Sequence, residues 1–225
     1  MPCTRTGIVS VRPIKSISKL YVSARRRLAR LHAIVPHAHM GPGRDDGEAR
    51  IAFVTIELLN LWANFMRSYY LSCIYSTVSR RGIRITVRPL RQTENQAIGF
   101  AVKHWRPKAT PRTDGSWRSR DEPTWYDPNQ IIPIMRAQGL SNFTDFEAAF
   151  STGDRIFIDL PVFRNYFGHR NGRSQVVAQS LAPHYGISAT KRPTEILLSR
   201  PLTRHQPLIL DWMDHVLFTI EYLCT

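Results

Sequence analysis

The long apolar stretch at 51–78 constrains the fold of this chain more than any other feature of its sequence. Polar residues interrupt it every three to four positions, and they are Glu57, Asn60, Asn64, Arg67 and Ser72. This spacing places them in one stripe along a helix whose remaining surface is apolar. A helix so apolar has to be surrounded on several sides, and its charged and amide groups argue against a membrane span. The pattern therefore predicts a helix over about 48–80, ended by Gly82, at the centre of a bundle.

Helical periodicity extends over most of the remaining chain. Further helices are predicted at 14–35, 94–105 behind a Thr93 cap, 128–139, 141–150, 154–167 before a Gly168 stop, 173–181 and 207–223. Only one short segment, 83–88, alternates apolar and polar residues in the manner of a strand. The sequence therefore predicts an all-α fold, an antiparallel helical bundle built around the long central helix.

The charge of the chain is strongly positive and unevenly distributed. Lys and Arg number 31 against 17 Asp and Glu, a net charge of +14, and 26 of the basic residues are arginine. Arginine binds phosphate through two N–H groups, so nucleic acid is the favoured partner over a membrane surface; a codon bias toward arginine is the alternative. Nine basic residues precede the first carboxylate, Asp45. We therefore expect a basic N-terminal helix and loop at 1–44 and a helical domain at 45–225.

The cysteines and histidines limit the cofactors and the compartment. Cys3, Cys73 and Cys224 are too few and too far apart for a disulfide framework or a CxxC zinc site. They indicate a reducing compartment, and the N-terminus has no apolar signal region, so we expect a cytoplasmic protein. The Arg-rich start alternatively resembles a mitochondrial transit peptide. The eight histidines show no metal-ligand spacing and no nucleotide-binding loop motif is present, so the sequence predicts no metal and no cofactor.

The segment 106–127 is predicted to be a long irregular loop, because proline and glycine break its periodicity. Loops of this length in compact domains are usually functional or disordered. Four aromatic residues flank it or lie within it: Trp105, Trp117, Trp125 and Tyr126. These side chains either stack nucleic-acid bases or anchor the loop on the core, and the sequence leaves both roles open.

The segment 160–171 carries the residues best suited to chemistry. Arg164, Asn165 and His169 lie within about one and a half helical turns, among aromatic residues. On an unbroken helix Arg164 and His169 would point about 140° apart. If Gly168 takes the left-handed conformation that ends many helices, the chain reverses and His169 turns back toward Arg164.

Such a group suits RNA cleavage without a metal ion. The 2′-hydroxyl would attack the neighbouring phosphorus while His169 transfers protons and Arg164 stabilises the charge on the phosphoryl oxygens. Asn165 would hold a phosphate oxygen or orient the imidazole. The alternative is a structural role, in which Arg164 and His169 only cap the helix.

The same Arg-x4-His spacing occurs at Arg27/His32 and at Arg200/His205. The first of these pairs lies within an amphipathic helix that nothing breaks, and the second has a proline after its arginine. Only the copy at 164–169 combines an amide, aromatic neighbours and a glycine before the histidine, so it is the candidate that we retain.

The sequence of this copy, RNYFGH, resembles the HEPN superfamily motif: Arg, a polar residue, a short spacer and His. The resemblance implies a small helical bundle that dimerises and forms an active cleft where two copies of the motif meet. It further implies a metal-independent endoribonuclease of toxin or defence type, with Arg164, Asn165 and His169 as catalytic residues. An antitoxin or regulatory protein would be a further partner, although some members of the superfamily only bind.

Four further residues are candidates for substrate binding: Arg170, Asn171, Arg173 and, from the polar stripe of the central helix, Asn64. A second hypothesis needs no catalysis. Under it the protein is a helical module that binds nucleic acid or a partner protein through the basic helix at 14–35.

Overall fold

The structure, a computed structural model, describes residues 16–38, 44–88, 93–151, 155–202 and 204–225. Helix accounts for 67% of these residues and strand for 2%, so the chain is mostly helical, as its periodicity predicts. The predicted start of the first helix at 14 and the cysteine at position 3 lie outside the described residues. Among the described helices, none is both long and apolar enough to cross a membrane.

Nine α-helices occupy the described parts of the chain. They are α1 (Ile17–Ile34), α2 (Arg44–Ile74), α3 (Glu94–Trp105), α4 (Pro128–Ala137), α5 (Phe143–Ala148), α6 (Ile156–His169), α7 (Gly172–Gln179), α8 (Pro193–Leu198) and α9 (Leu208–Cys224). Local signals set several ends: the Thr93 hydroxyl accepts the Gln96 N–H and begins α3, and Asp127 accepts the Asn129 N–H and begins α4. Helix α8 is short and was not predicted.

The central helix α2 ends at Ile74, earlier than the predicted end at Arg80. Ser76 adopts a left-handed φ of 60° there, and the chain leaves the helix. The strand β1 (Thr77–Val78) follows and pairs antiparallel with β2 (Arg84–Ile85).

Gly82 therefore lies in the turn of a β-hairpin and does not end a helix. It lies in the turn between the strands with a φ of 83°, a conformation that favours glycine. The Ser79 N–H donates to the Ile83 carbonyl at 2.8 Å, so hairpin bonds satisfy backbone groups that a longer helix would have paired. The strand predicted at 83–88 is correspondingly reduced to the two residues of β2.

Helix α2 forms the core of the bundle, with α1, α6 and α9 packed around it. Its largest side chains, Trp62, Tyr69 and Tyr70, are fully buried. The Tyr70 hydroxyl donates to the Ala97 carbonyl of α3 at 2.7 Å, which satisfies its polar atom inside the core. The prediction of a central helix enclosed on several sides is thus confirmed.

Helix α1 packs into the same core while its basic residues face outward. Its buried residues are Ile17, Leu20, Tyr21, Ala24, Leu28 and Leu31. The Tyr21 hydroxyl donates to Glu221 of α9 at 3.3 Å, and Arg27 pairs with Glu57 of α2 at 3.3 Å. The described part of the predicted 1–44 segment is therefore joined to the rest of the bundle, and the division at residue 45 stays a prediction.

The segment 106–127 lies against α2 and α3, held by its aromatic residues. Trp125 is buried, and its Nε1 donates to Glu122 at 2.7 Å. Trp117 lies so close to α3 that a Cβ built at Gly99 would be 2.6 Å from its Nε1. Trp117 and Trp125 thus anchor the segment, whereas Trp105 is exposed. A role of these aromatic side chains in stacking bases stays a prediction.

We predict that the free energy of unfolding falls as pH rises above about 9. Burial raises the pKa of Cys224 to about 12 and raises the pKa of Cys73, Tyr69 and Tyr70 as well. These groups stay neutral in the fold but ionise in the unfolded chain near pH 9–10, so the stability they contribute is complete below pH 9 and is lost as pH rises through their folded values. The loss is about 1.4 kcal/mol per pH unit for each group.

Urea unfolding followed by circular dichroism from pH 7 to pH 11 measures this dependence. A Cys73→Ala/Cys224→Ala variant is the control, because it lacks two of the four groups and its stability should decline less steeply. A wild-type stability that stays level up to pH 11 would contradict the prediction.

Candidate functional site

Helix α6 carries the predicted motif and buries one face in the core. Its buried residues are Ile156, Phe157, Asp159, Leu160, Phe163 and Phe167. The ring centroid of Phe157 lies 4.5 Å from that of Trp62 on α2, and that of Phe163 lies 5.6 Å from Trp212 on α9. Because two helices hold this face, Arg164 on the other side of α6 is directed to solvent.

A buried carboxylate holds the first turn of α6. Asp159 is 0% exposed and accepts hydrogen bonds from Nε and Nη2 of Arg155, both at 3.1 Å. The Tyr185 hydroxyl donates to Asp159 Oδ2 at 2.8 Å. Burial and then the Asp159 charge raise the pKa of Tyr185, so its hydroxyl remains a proton donor. These three bonds compensate for the burial of the carboxylate and fix the start of the helix.

The end of α6 differs from the prediction for Gly168. This glycine is helical, and the helix continues to His169. The left-handed residue is Arg170, with φ 44° and ψ 41°. The reversal falls there because Asn171 is already the N-cap of α7, which leaves a single residue to turn the chain. The prediction that Gly168 turns His169 back toward Arg164 is therefore wrong.

The side chain of Arg164 nevertheless extends toward His169 because it is long. The two residues lie five apart on an unbroken helix, so their Cα–Cβ bonds diverge by about 140°. The Arg164 side chain extends along the helix, and its Nη1 would lie 3.6 Å from a Cβ built at Gly168. Its guanidinium is thus beside the peptide that precedes His169.

The side chains of Arg164, Asn165 and His169 are all exposed. None of them forms a hydrogen bond or an ion pair with another described residue. The three predicted catalytic side chains are therefore available to a partner, although one chain does not enclose them.

The residues that follow the motif are exposed to solvent, and two of them, Arg170 and Asn171, also contact other residues of the fold. Nη1 of Arg170 lies 3.8 Å from Oε1 of Glu48 near the start of α2. Asn171 caps α7 by accepting the Ser174 N–H at 2.8 Å. Arg173 is exposed beside them, and its role in substrate binding stays a prediction.

Asn64 lies elsewhere in the molecule. It borders a shallow depression between α1 and α2, with Ser23 and Arg27 of α1 nearby. It follows Glu48, the residue next to Arg170, by sixteen positions on α2, which corresponds to about 24 Å along a helix. The structure does not bring Asn64 to the end of α6.

Tyr166 is a neighbour that the sequence did not single out. It is half-buried, with its ring 5.0 Å from that of Phe167. Burial raises the pKa of its hydroxyl, and the charge of Glu48 raises it further, whereas Arg170 and Arg192 lower it. In the motif this position belongs to the spacer between Arg and His. The motif therefore does not indicate that charged residues surround Tyr166 in the fold.

The end of α6 therefore offers one imidazole, one guanidinium and one amide on an open surface. These groups provide proton transfer, a bidentate grip on phosphate and a neutral hydrogen-bond donor. Within the described ranges, no three His, Cys, Asp or Glu side chains are grouped so as to hold a metal ion.

Comparisons with known proteins supply no relative. No protein-family model matches the chain, and no curated protein or solved structure matches it either. The resemblance of the motif at 164–169 to the HEPN superfamily therefore stays a prediction.

We predict that Gly168→Ala raises the free energy of unfolding by about 0.5–1 kcal/mol, because alanine favours a helix and the new Cβ meets only an ordinary contact with Arg164. Urea unfolding measures the change.

Gly139→Ala is the matched control. Gly139 has a φ of 65°, and a Cβ built there would meet only ordinary contacts with Arg88, the nearest at 3.5 Å, so alanine there costs about 1–2 kcal/mol through the backbone conformation. A loss of stability in Gly168→Ala as large as in Gly139→Ala would restore the left-handed interpretation of Gly168.

Proposed function

We propose that this chain is a HEPN-like endoribonuclease that cleaves RNA without a metal ion and acts as a homodimer. The observation that carries the proposal is the exposed group of Arg164, Asn165 and His169 at the end of α6, whose side chains are bound by no other described residue. Polar groups so placed remain available for phosphate and for proton transfer.

The structural alternative, in which Arg164 and His169 cap the helix, finds less support. The Arg170 N–H closes the last turn of α6 by donating to the Tyr166 carbonyl at 2.7 Å, and Asn171 caps α7. Neither the guanidinium nor the imidazole takes part in these bonds, so the helix ends without them.

The proposed reaction balances as a transesterification. The 2′-oxygen of RNA bonds to the adjacent phosphorus, and the bond from phosphorus to the 5′-oxygen breaks. The 2′-hydroxyl loses a proton and the 5′-oxygen gains one, with His169 as the group that accepts or donates it. Arg164 stabilises the negative charge on the phosphoryl oxygens, and Asn165 positions one of them. The products are a 2′,3′-cyclic phosphate and a 5′-hydroxyl end.

A second copy of the chain would complete the cleft. Arg164 and His169 diverge on one helix, so a single copy does not surround a phosphate, whereas two copies related by a two-fold axis present two of each group. Val176 and Val177 of α7, which follows the motif, are 65% and 45% exposed and supply apolar surface beside it. These features support dimerisation through the α6–α7 surface.

The proposed setting follows from the same resemblance. An endoribonuclease of toxin or defence type would act in the cytoplasm, in keeping with the free thiols of Cys73 and Cys224. An antitoxin or regulatory protein that covers the end of α6 would hold it inactive.

We predict that the purified protein cleaves single-stranded RNA in excess EDTA and that His169→Ala lowers the rate by at least about 100-fold, because it removes a proton-transfer group. Gel electrophoresis of end-labelled RNA measures the rate and identifies the cyclic-phosphate ends.

The chain offers a matched control in His32→Ala. His32 is exposed on α1, not on α6 or α7, and follows Arg27 with the same spacing. Equal activity in wild type and His169→Ala, or cleavage of a substrate whose 2′-hydroxyls are replaced by hydrogen, would refute the assignment.

The outer face of α1 supports a second candidate function, binding of nucleic acid without catalysis. Lys19, Arg25, Arg26 and Arg30 are all exposed on this face. They line one side of a helix whose other side is in the core, which is the arrangement of a phosphate-binding stripe.

We predict that replacing Arg25, Arg26 and Arg30 with glutamine weakens RNA binding and reduces the salt dependence of log Kd by about 2, since each lost phosphate contact on single strands contributes about 0.7. Deleting α1 would remove core residues, so substitution is the cleaner change. The control replaces three exposed basic residues within the 106–127 segment, Lys108, Arg112 and Arg118. An equal effect of both triple variants would show that only net charge matters.

A further inference from the structure

A second group of polar side chains lines a cavity at the opposite end of α6 from the motif. The cavity measures about 330 Å³ and lies between the start of α6, the 3₁₀ turn at Ala182–Tyr185 and α9. We propose that it binds a small molecule that carries an oxyanion, either phosphate or carboxylate, on an apolar body about the size of one ring.

Arg155 lines the cavity with a preorganised guanidinium. Arg155 gives two of the five N–H groups of its guanidinium to buried Asp159, which leaves three for a ligand. Tyr185 donates to the same carboxylate, so its ring is fixed beside the arginine. A guanidinium already held by a buried acid loses little freedom when it binds an anion.

A second arginine, Arg204, also lines the cavity. Arg204 lies 3.6 Å from Asp211, and both line the cavity. His215, one turn further along α9, and His184 add imidazole groups. An oxyanion placed between Arg155 and Arg204 would accept charge-assisted hydrogen bonds from both, which are about twice as strong as neutral ones.

The rest of the lining is apolar and suits the body of such a ligand. Trp212 is the largest of these residues, and its ring is held in edge contacts with Phe163 and Tyr185 at 5.6 and 5.8 Å between centroids. Ile156 and Leu202 complete the surface. Because the volume lies at the lower end of the range for ligand cavities, a single ring with one anionic group fits best.

The rim of the cavity depends on Gly186. Its φ of 66° favours glycine, and a Cβ there would lie 2.9 Å from Cδ1 of Leu202. Leu202 can therefore approach the turn closely, although it is 87% exposed. Such an exposed leucine at the mouth of a polar cavity provides apolar contact for a ligand that enters it.

The cavity is separate from the proposed nuclease site. Arg164 follows Arg155 by nine positions, which corresponds to about 14 Å along the helix and to the opposite face. Ligand binding in the cavity can thus be measured without RNA and does not depend on whether the protein cleaves it.

Isothermal titration calorimetry of the full chain with phenyl phosphate, benzoate, inorganic phosphate and phenol tests the proposal. We expect phenyl phosphate or benzoate to bind more tightly than phosphate or phenol, and the stronger of the two to identify the oxyanion. Arg204→Gln should weaken that binding at least about 10-fold. Arg204→Lys, which keeps the charge but not the fork, should have an intermediate affinity.

Arg136→Gln is the control for nonspecific attraction to a basic protein. Arg136 is an exposed arginine of α4 that is ion-paired with Glu147, as Arg204 is with Asp211, but it lies outside the cavity. Absence of saturable binding at millimolar concentrations of every probe would overturn the proposal. Equal weakening by Arg204→Gln and Arg136→Gln would overturn it as well.

Discussion

The need to cover α2 is the constraint on which the rest of the structure depends. Trp62, Tyr69 and Tyr70 are fully buried, and burial of each such side chain is worth about 1.5–3 kcal/mol. One neighbour cannot enclose a helix that is apolar on several sides, so α1, α6 and α9 each contribute one apolar face. The outward faces of these three helices are then the places where polar residues can collect.

This division of faces decides where chemistry is available. Phe157 and Phe163 hold α6 inward, and Arg164 is left outside as a result. On α1 the same geometry turns the basic residues toward solvent while Leu20 and Leu28 are buried. The two candidate RNA-binding surfaces thus arise from the way in which the core is assembled, and α6 carries different groups of polar side chains near its two ends.

Much of the helical plan could be predicted because its signals are local. The cap at Thr93 and the start of α4 after Asp127 each depend on residues within one turn, and both were found. The ends of α2 and α6 depend on what the chain does next, so the hairpin after Ser76 and the cap at Asn171 overrode the glycines that were expected to stop these helices. A glycine marks where a chain can turn, whereas the following element decides whether it does.

The two candidate sites, the motif at 164–169 and the cavity, also differ in how far the sequence could predict them. The motif at 164–169 is contiguous and its spacing was visible, although the relation between Arg164 and His169 required the observed helix. The cavity joins Asp159 to Tyr185, 26 residues away, and to side chains of α9. No periodicity or spacing connects residues so distant, and only the folded bundle brings them together.

The contact between α1 and α9 has a consequence for how the chain is made. Tyr21 bonds to Glu221 and Cys224 lies 3.9 Å from the Ile17 carbonyl, pairs about 200 residues apart. Individual helices form early, but such distant contacts close late and at a high entropic cost. While the ribosome is still adding residues, part of the apolar surface of α1 stays uncovered until α9 has been synthesised. A nascent chain with that surface uncovered is a natural client for chaperones until α9 docks.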